Sequence, residues 1–381
     1  MSAQGIVAPF NAYLNGRNTF YWDKHAYQLG TGDYTKARIK HWTHWANNTH
    51  VTSNPVESIK YPLENRIWFS YPGQTTWGAV SGTLDKPTRI GRVLDDGSTQ
   101  LTQLSYNSLG NPTHLIDPLG RDTRLDYAAN QVDVIRVAQK TTTDTYSTVA
   151  ELTYNSRHLP LTYTDAAGQT TTSNYNTAGP LAEVKDALNE IPTYDYNTPG
   201  YLTEITNGNG KTALSLTYDA YGRMASRTDS EGRILNYSYD NFDRITQITY
   251  PDGTIETASW DKLDLAGQTG REGRATRYRY DAVRNLISVT DPLDRLTSYG
   301  YYPNQTLKTL TDANGNPTIW KRDLQSRVTA KVYADGKQEL NSYESATSRL
   351  ASTTDSLGQS KRLSYGKDDR IINIDYLNPV N

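Results

Sequence analysis

Apolar and polar residues alternate between residues 233 and 253, and turn chemistry interrupts the alternation twice. Leu235, Tyr237 and Tyr239 fall at every second position, so their side chains share one face of a strand. Asp240-Asn241-Phe242-Asp243 follows, and an aspartate at a turn start bonds its own backbone. Arg244, Ile245 and Ile248 open a return strand rich in β-branched residues. Pro251-Asp252-Gly253 closes the unit, and Asp-Gly is a strong hairpin signal. The pattern predicts a β-hairpin with two turns per unit.

The same unit returns about every 21 residues. A tyrosine with an acidic or amide residue behind it recurs at Tyr106-Asn107, Tyr154-Asn155, Tyr175-Asn176, Tyr196-Asn197, Tyr218-Asp219, Tyr239-Asp240, Tyr280-Asp281 and Tyr343-Glu344. Trp260-Asp261 and Arg322-Asp323 keep the register, and the one long step, of 27 residues, separates Tyr127 from Tyr154. The second turn repeats as well, for example as Asp117-Pro118-Leu119-Gly120, Asp229-Ser230-Glu231-Gly232 and Asp355-Ser356-Leu357-Gly358. A fixed period of this size means one supersecondary unit stacked many times around a shared core.

An isolated hairpin is marginal in water, so the units must pair edge to edge. Sheets twist, and the expected fold is therefore all-β: tandem hairpins in a curved, spiralling antiparallel sheet. No apolar pattern at helical spacing lasts three turns, so helix should be nearly absent. The tyrosines at 218, 239, 280 and 301 are expected to stack in a ladder. Arg223, Arg244, Arg327 and Arg370 are expected to bridge to turn aspartates on adjacent rungs. Both ends of the chain should present sheet edges open to pairing.

Residues 101–381 carry the regular repeat, whereas residues 1–100 are less regular and hold Trp22, Trp42, Trp45, Trp68 and Trp77. Segments 38–42 and 66–73 look like worn units, so the first hundred residues read as a divergent part of the same sheet, with a separate small β domain as the alternative.

Composition decides whether such a chain folds. Only 36% of its 381 residues are hydrophobic and the mean hydropathy is -0.72, but net charge is only -2 and there are 29 tyrosines. Disordered chains combine few aromatics with high net charge, so the core here must lean on tyrosine. The absence of cysteine excludes disulfides, thiolate metal sites and cysteine nucleophiles. A pI near 6.3 argues against a nucleic-acid surface, and no run approaches the length of a membrane-spanning helix. The N-terminus lacks the basic start and apolar run of a signal peptide. Release from the cytoplasm to the outside or to the cell surface would need a dedicated secretion system.

The run Tyr218-Asp219-Ala220-Tyr221-Gly222-Arg223 resembles the YD repeat of bacterial Rhs proteins, which also occurs in the shell subunits of insecticidal toxin complexes and in teneurins. The segment 91–100 is similar to proteobacterial Rhs sequence, and the resemblance extends over roughly residues 35–376. It implies a spiralling sheet that closes into a cocoon around a C-terminal toxin effector. On that reading the chain is a shell segment of an Rhs-type polymorphic toxin, its partner is an effector domain, and it needs no cofactor. The family's self-cleaving plug and variable effector have no counterpart in these residues. The motif positions are Tyr218, Asp219, Gly222, Arg223, Tyr239, Asp240, Arg244, Tyr280 and Asp281.

Other chemistry finds weaker footing. No histidine follows His158, so the regular repeats hold no histidine-based triad. His41 and His44 sit three apart in an expected strand, on opposite faces, and read as half-buried polar residues rather than metal ligands. Asp312-Ala313-Asn314-Gly315-Asn316 lacks the closing glutamate of a calcium loop, and hairpin turn chemistry accounts for it. The recurring carboxylates occupy turns, not the paired geometry of a glycosidase, and no catalytic residue is assigned. The alternative function is a carbohydrate- or receptor-binding surface, with Trp42 and Trp68 as stacking platforms. Against it stands the large energy that aromatic burial contributes to a core.

Overall fold

The computed structural model describes residues 3–6, 14, 16–45, 48–74, 84–142 and 145–378. Among these residues 31 strands form one open antiparallel sheet. Helix is confined to Lys24–Leu29 and a 3-10 turn at Tyr34–Lys36. The short helix forms because Asp23 caps it, its carboxylate accepting from the Ala26 amide at 2.7 Å. Six residues are too few to show as a periodic pattern, which is why the sequence conceals this helix.

The chain packs as two compact units. One comprises Asp133–Ala138 and Thr148–Ser298; the other comprises Met1–Val132, Gln139–Ser147 and Tyr299–Asn381. In the unit around residues 148–298 the strands run in chain order, each antiparallel to the next. In Ile234–Tyr239 the side chains alternate between exposed and half-buried, with Leu235, Tyr237 and Tyr239 on the sheltered face. Tyr237 lies opposite Ile248 and Tyr239 opposite Ile245. These are the cross-strand aromatic and β-branched pairs that stabilise sheets.

A bulge recurs where the motif residue meets its partner strand. Register shifts fall between Thr217 and Tyr218, Ser238 and Tyr239, Ser259 and Trp260, Arg279 and Tyr280, and Ser342 and Tyr343. At Tyr239 the partner strand skips Thr246, so two residues face one. A bulge increases local twist, and these recurring bulges add that twist at the spacing of the repeat.

Burial is shallow. The hydrophobic residues buried in the repeats are mostly alanines, such as Ala138, Ala150, Ala330 and Ala346. Tyr239 is half-buried, so its ring contributes less than the full burial of a core aromatic.

In the unit that contains both chain ends, the first hundred residues dock onto the turns of the last hairpins. The Asn65 amide donates to the Ala346 carbonyl at 3.1 Å. Gln100 Nε2 donates to the Lys367 carbonyl at 2.7 Å, and Arg121 Nη2 meets Asp368 at 2.9 Å. Asn304 donates to Asp23 at 3.1 Å, and the His25 ring packs 4.6 Å from Tyr302. The last strand, Ile371–Leu377, pairs with Ser360–Tyr365 and is exposed along its whole length.

The four-residue turns at Asp219, Asp240, Asp281 and Asp323 each place one residue in the left-handed region. Gly222 supplies it with φ 80°, and where glycine is absent Asp243, Arg284 and Ser326 adopt it with φ of 59°, 67° and 63°. A Cβ at Gly222 would also lie 2.5 Å from Tyr201 Oη, whereas nothing lies within 4 Å of one at Gly253, where φ is 79°. Gly222→Ala should therefore cost about 2 kcal/mol and Gly253→Ala about 1 kcal/mol. Urea midpoints that shift equally in the two variants would contradict the close approach.

Candidate functional site: the repeat turn clamp

The motif residues converge on one arrangement, built at the turns that begin with Asp219, Asp240, Asp281 and Asp323. Asp240 Oδ1 accepts the amides of Phe242 at 2.8 Å and Arg244 at 3.1 Å, while Arg244 Nε donates to Oδ2 at 2.8 Å. Asp219 holds Tyr221, Arg223 and the Arg223 guanidinium in the same way, at 2.9, 3.0 and 2.7 Å. At Asp281 the arginine position is Asn285, whose side-chain amide donates at 2.9 Å. The turns at the opposite strand ends repeat the device with Asp229 and Arg233. Aspartate is required because one short carboxylate must accept backbone and side-chain donors together.

The arginine then reaches the next hairpin. The Arg223 guanidinium lies 4.8 Å from the Tyr239 ring centre, Arg244 4.7 Å from Trp260, Arg327 4.3 Å from Tyr343 and Arg349 4.7 Å from Tyr365. Arg223 Nη1 also donates to the Asp240 carbonyl at 3.0 Å, and Arg349 Nη1 to that of Gly366 at 3.0 Å. The tyrosine answers in the other direction. Tyr239 Oη donates to the Met224 carbonyl at 2.8 Å, Tyr218 Oη to Leu202 at 2.7 Å and Tyr343 Oη to Val328 at 2.8 Å. Trp260 Nε1 and Arg322 Nε make the equivalent bonds to Ile245 and Leu307, at 3.2 and 3.1 Å. That shared role explains how tryptophan and arginine keep the register of a tyrosine repeat.

Two expectations are corrected here. The rings of 218 and 239 do not stack on one another; an arginine lies between hairpins, and Tyr201 takes that place against Tyr218 at 5.0 Å. The arginines pair first with the aspartate of their own turn. Carboxylate bridges to the next turn occur at Arg223–Asp243 and Arg349–Asp369, both 3.0 Å, whereas Arg370 approaches Asp368 of its own turn at 3.6 Å.

The aromatic platforms fare differently. Trp68 is buried, 3% exposed, with the Arg66 guanidinium 5.6 Å from its ring. It offers no face to a sugar, because its strand is covered in the packed N-terminal region. Trp42 is half-buried and its indole N–H donates to Thr19 Oγ1 at 3.2 Å. Trp77 lies outside the described residues.

His41 and His44 are fully buried rather than half-buried, at 0% and 2% exposure. His41 Nδ1 meets Asn18 Oδ1 at 2.8 Å and its Nε2 meets Glu57 at 3.2 Å. Register shifts around Trp42 and His44 break the alternation that would have placed the two rings on opposite faces. Glu57 is 1% exposed, so the pair is sealed from any outside substrate and cross-links strands. Burial also pushes the nearby Tyr71 hydroxyl up to about 12.

The clamp has a pH signature. The Arg244 guanidinium, assisted by the Phe242 and Arg244 amides, holds the Asp240 carboxyl below its ordinary value. Asp229 and Asp281 are lowered in the same way, led by the Arg233 amide and the Asn285 side chain respectively. A lowered folded-state value contributes stability above the unfolded value, about 3.9, and loses it as pH falls through the folded value. The melting temperature should hold from pH 7 to about 5 and fall below about pH 4, with Asp240→Asn blunting the fall. A melt insensitive to acid would contradict the clamp. Tyr239→Phe should cost about 1 kcal/mol for the lost bond and Tyr239→Ala about 2–3 kcal/mol in urea unfolding. Equal losses would place the weight on the hydroxyl alone.

Comparison with known proteins points in one direction. The RHS Repeat family profile matches residues 196–234, 218–255 and 260–296. The chain is 28% identical over 218 residues to Double-stranded DNA deaminase toxin A of Burkholderia cenocepacia (strain H111), covering 57% of this chain and 12% of that toxin. The crystal structure of TcdB2-TccC3 superposes over 91% of this chain and 22% of its own, with a TM-score of 0.57 at 12% identity. That of TcdB2-TccC3-Cdc42 gives 0.56 with the same coverage and identity. The chain thus spans a small fraction of that toxin and of those two structures, and the structural likeness is one of fold.

Proposed function

We propose, from the premise that this chain is an Rhs/YD-repeat protein, that it serves as a shell segment of an Rhs-type toxin and carries no catalytic centre. The observation that carries this reading is the turn clamp. Where it is built, it commits the aspartate, the arginine and the aromatic ring to holding the next hairpin, which leaves them no free role in chemistry. A wall built this way needs no second layer to define its curvature, because each hairpin fixes its neighbour. The small share of the toxin and of the superposed structures that the chain matches supports its being one part of a longer assembly.

The finer reading follows from the same premise. The wall encloses a linked effector, its regular portion runs over 101–381, and residues 1–100 are worn copies of the same hairpin. Export would then pass through a dedicated secretion system; no helix among the described residues is long and apolar enough to cross a membrane. The glycan-binding alternative loses its main support with the burial of Trp68.

Limited proteolysis of the gene's whole product tests enclosure. An effector held inside should resist trypsin until the repeat sheet is unfolded in urea. An effector cleaved at the same rate with the sheet intact and unfolded would leave the chain a scaffold without a cargo.

A further inference from the structure

Half-buried arginines in the hairpin repeats have hydrogen-bond or ion-pair partners for their side chains; the Arg38 side chain does not. In the unit that contains both chain ends, a cleft of about 680 Å³ opens between the N-terminal segment and the late hairpin turns. Four cations line it, Lys36, Arg38, Arg92 and Arg349, together with the carboxylates of Asp23, Glu64 and Asp369. Each of those carboxylates is already committed. Glu64 takes Arg92 at 3.3 Å, Asp369 takes Arg349 at 3.0 Å, and Asp23 takes the Ala26 amide at 2.7 Å and Asn304 at 3.1 Å. Lys36 pairs with Asp33 at 3.4 Å.

The Arg38 side chain has no ion pair or hydrogen bond among the described residues, and its Nε is buried without an acceptor. Arg92 Nε, in the same cleft, is buried without an acceptor too. The exposed Arg227, Arg279 and Arg362 also lack such partners, but water serves them fully. Buried donors are normally satisfied, and an exception calls for an acceptor. The Arg38 guanidinium is held in place by two rings, Tyr21 at 4.9 Å and Tyr61 at 6.0 Å. The rings hold the guanidinium without accepting its N–H groups, which are what it has left to offer a ligand.

We propose that this cleft binds a carboxylate-bearing ligand, with Arg38 as its anchor. A planar carboxylate matches the in-plane fork of a guanidinium with two parallel bonds. A tetrahedral phosphate would drive an oxygen toward the flanking rings. The charges agree: Lys36, Arg92 and Arg349 are each paired with a carboxylate, so among the described residues Arg38 carries the one unpaired charge lining the cleft. The cleft is far larger than a carboxylate, so the ligand has a body, and Pro62 and Leu324 supply apolar surface for it. Two sources share this chemistry, an acidic side chain of a polypeptide and a free organic acid.

Calorimetric titration of the full chain separates them, with butanoate, a Gly-Glu-Gly peptide blocked at both ends, and inorganic phosphate as probes. One of the two carboxylates should bind, and the tighter one identifies the source. Arg38→Lys keeps the charge and the stacking but loses the fork, and should weaken that binding at least about tenfold. Tyr21 is 57% exposed, so Tyr21→Leu should leave the fold intact and weaken binding severalfold. It serves as the deciding variant if Arg38→Lys fails to fold. No binding of either carboxylate at about 10 mM, phosphate binding as tightly as the better carboxylate, or affinity unchanged in the folded variant would overturn the proposal. A Kd of 1 mM corresponds to about −4.1 kcal/mol, so a tenfold loss is well within calorimetric reach.

Discussion

One carboxylate with several donors organises this molecule. An aspartate that opens a turn accepts two backbone amides and a guanidinium, and that guanidinium then lies against the aromatic ring of the next hairpin. The ring's own polar atom returns a bond to the strand just beyond the same arginine. Each hairpin is therefore held at its turn by its neighbour on both sides. In a sheet whose side chains are mostly half-buried, such contacts between neighbours replace the deep core of a globular domain.

The N-terminal region uses different means. Its strands hide many polar groups beside Trp68, with His41, Thr43, His44, Glu57, Ser58 and Ser70 among the best-buried side chains. Burying such groups is costly unless they find partners, and His41 finds them on two other segments. The same region meets the late turns through polar contacts such as Gln100 with Lys367 and Arg121 with Asp368. The turn edge that links hairpins to one another thus also serves as a docking edge for sequence more than two hundred residues away.

Much of this was readable from the residues in order. Alternation at 235, 237 and 239 matches the sheltered face of Ile234–Tyr239, and Asp-x-x-Gly-Arg marks the turn that the backbone adopts. The bulge at each motif residue was not readable, because register depends on the partner strand and alternation within one strand does not report it. Nor was the intervening arginine. Equal spacing of tyrosines suggested rings on rings, but hairpins two strands apart leave a gap that a guanidinium fills. Tyr201, at the arginine position of its turn, stacks where an arginine otherwise would.

By itself the sequence determined what is local and periodic: strand faces, turn conformations, the hairpin and its repetition. These depend on a residue's own chemistry and on neighbours a few positions away. Only the tertiary structure decided the fate of Trp68, the sealing of His41 against Glu57 and the isolation of Arg38 between two tyrosines. Each of these depends on which distant segments come together, and burial and pairing are properties of the assembled surroundings.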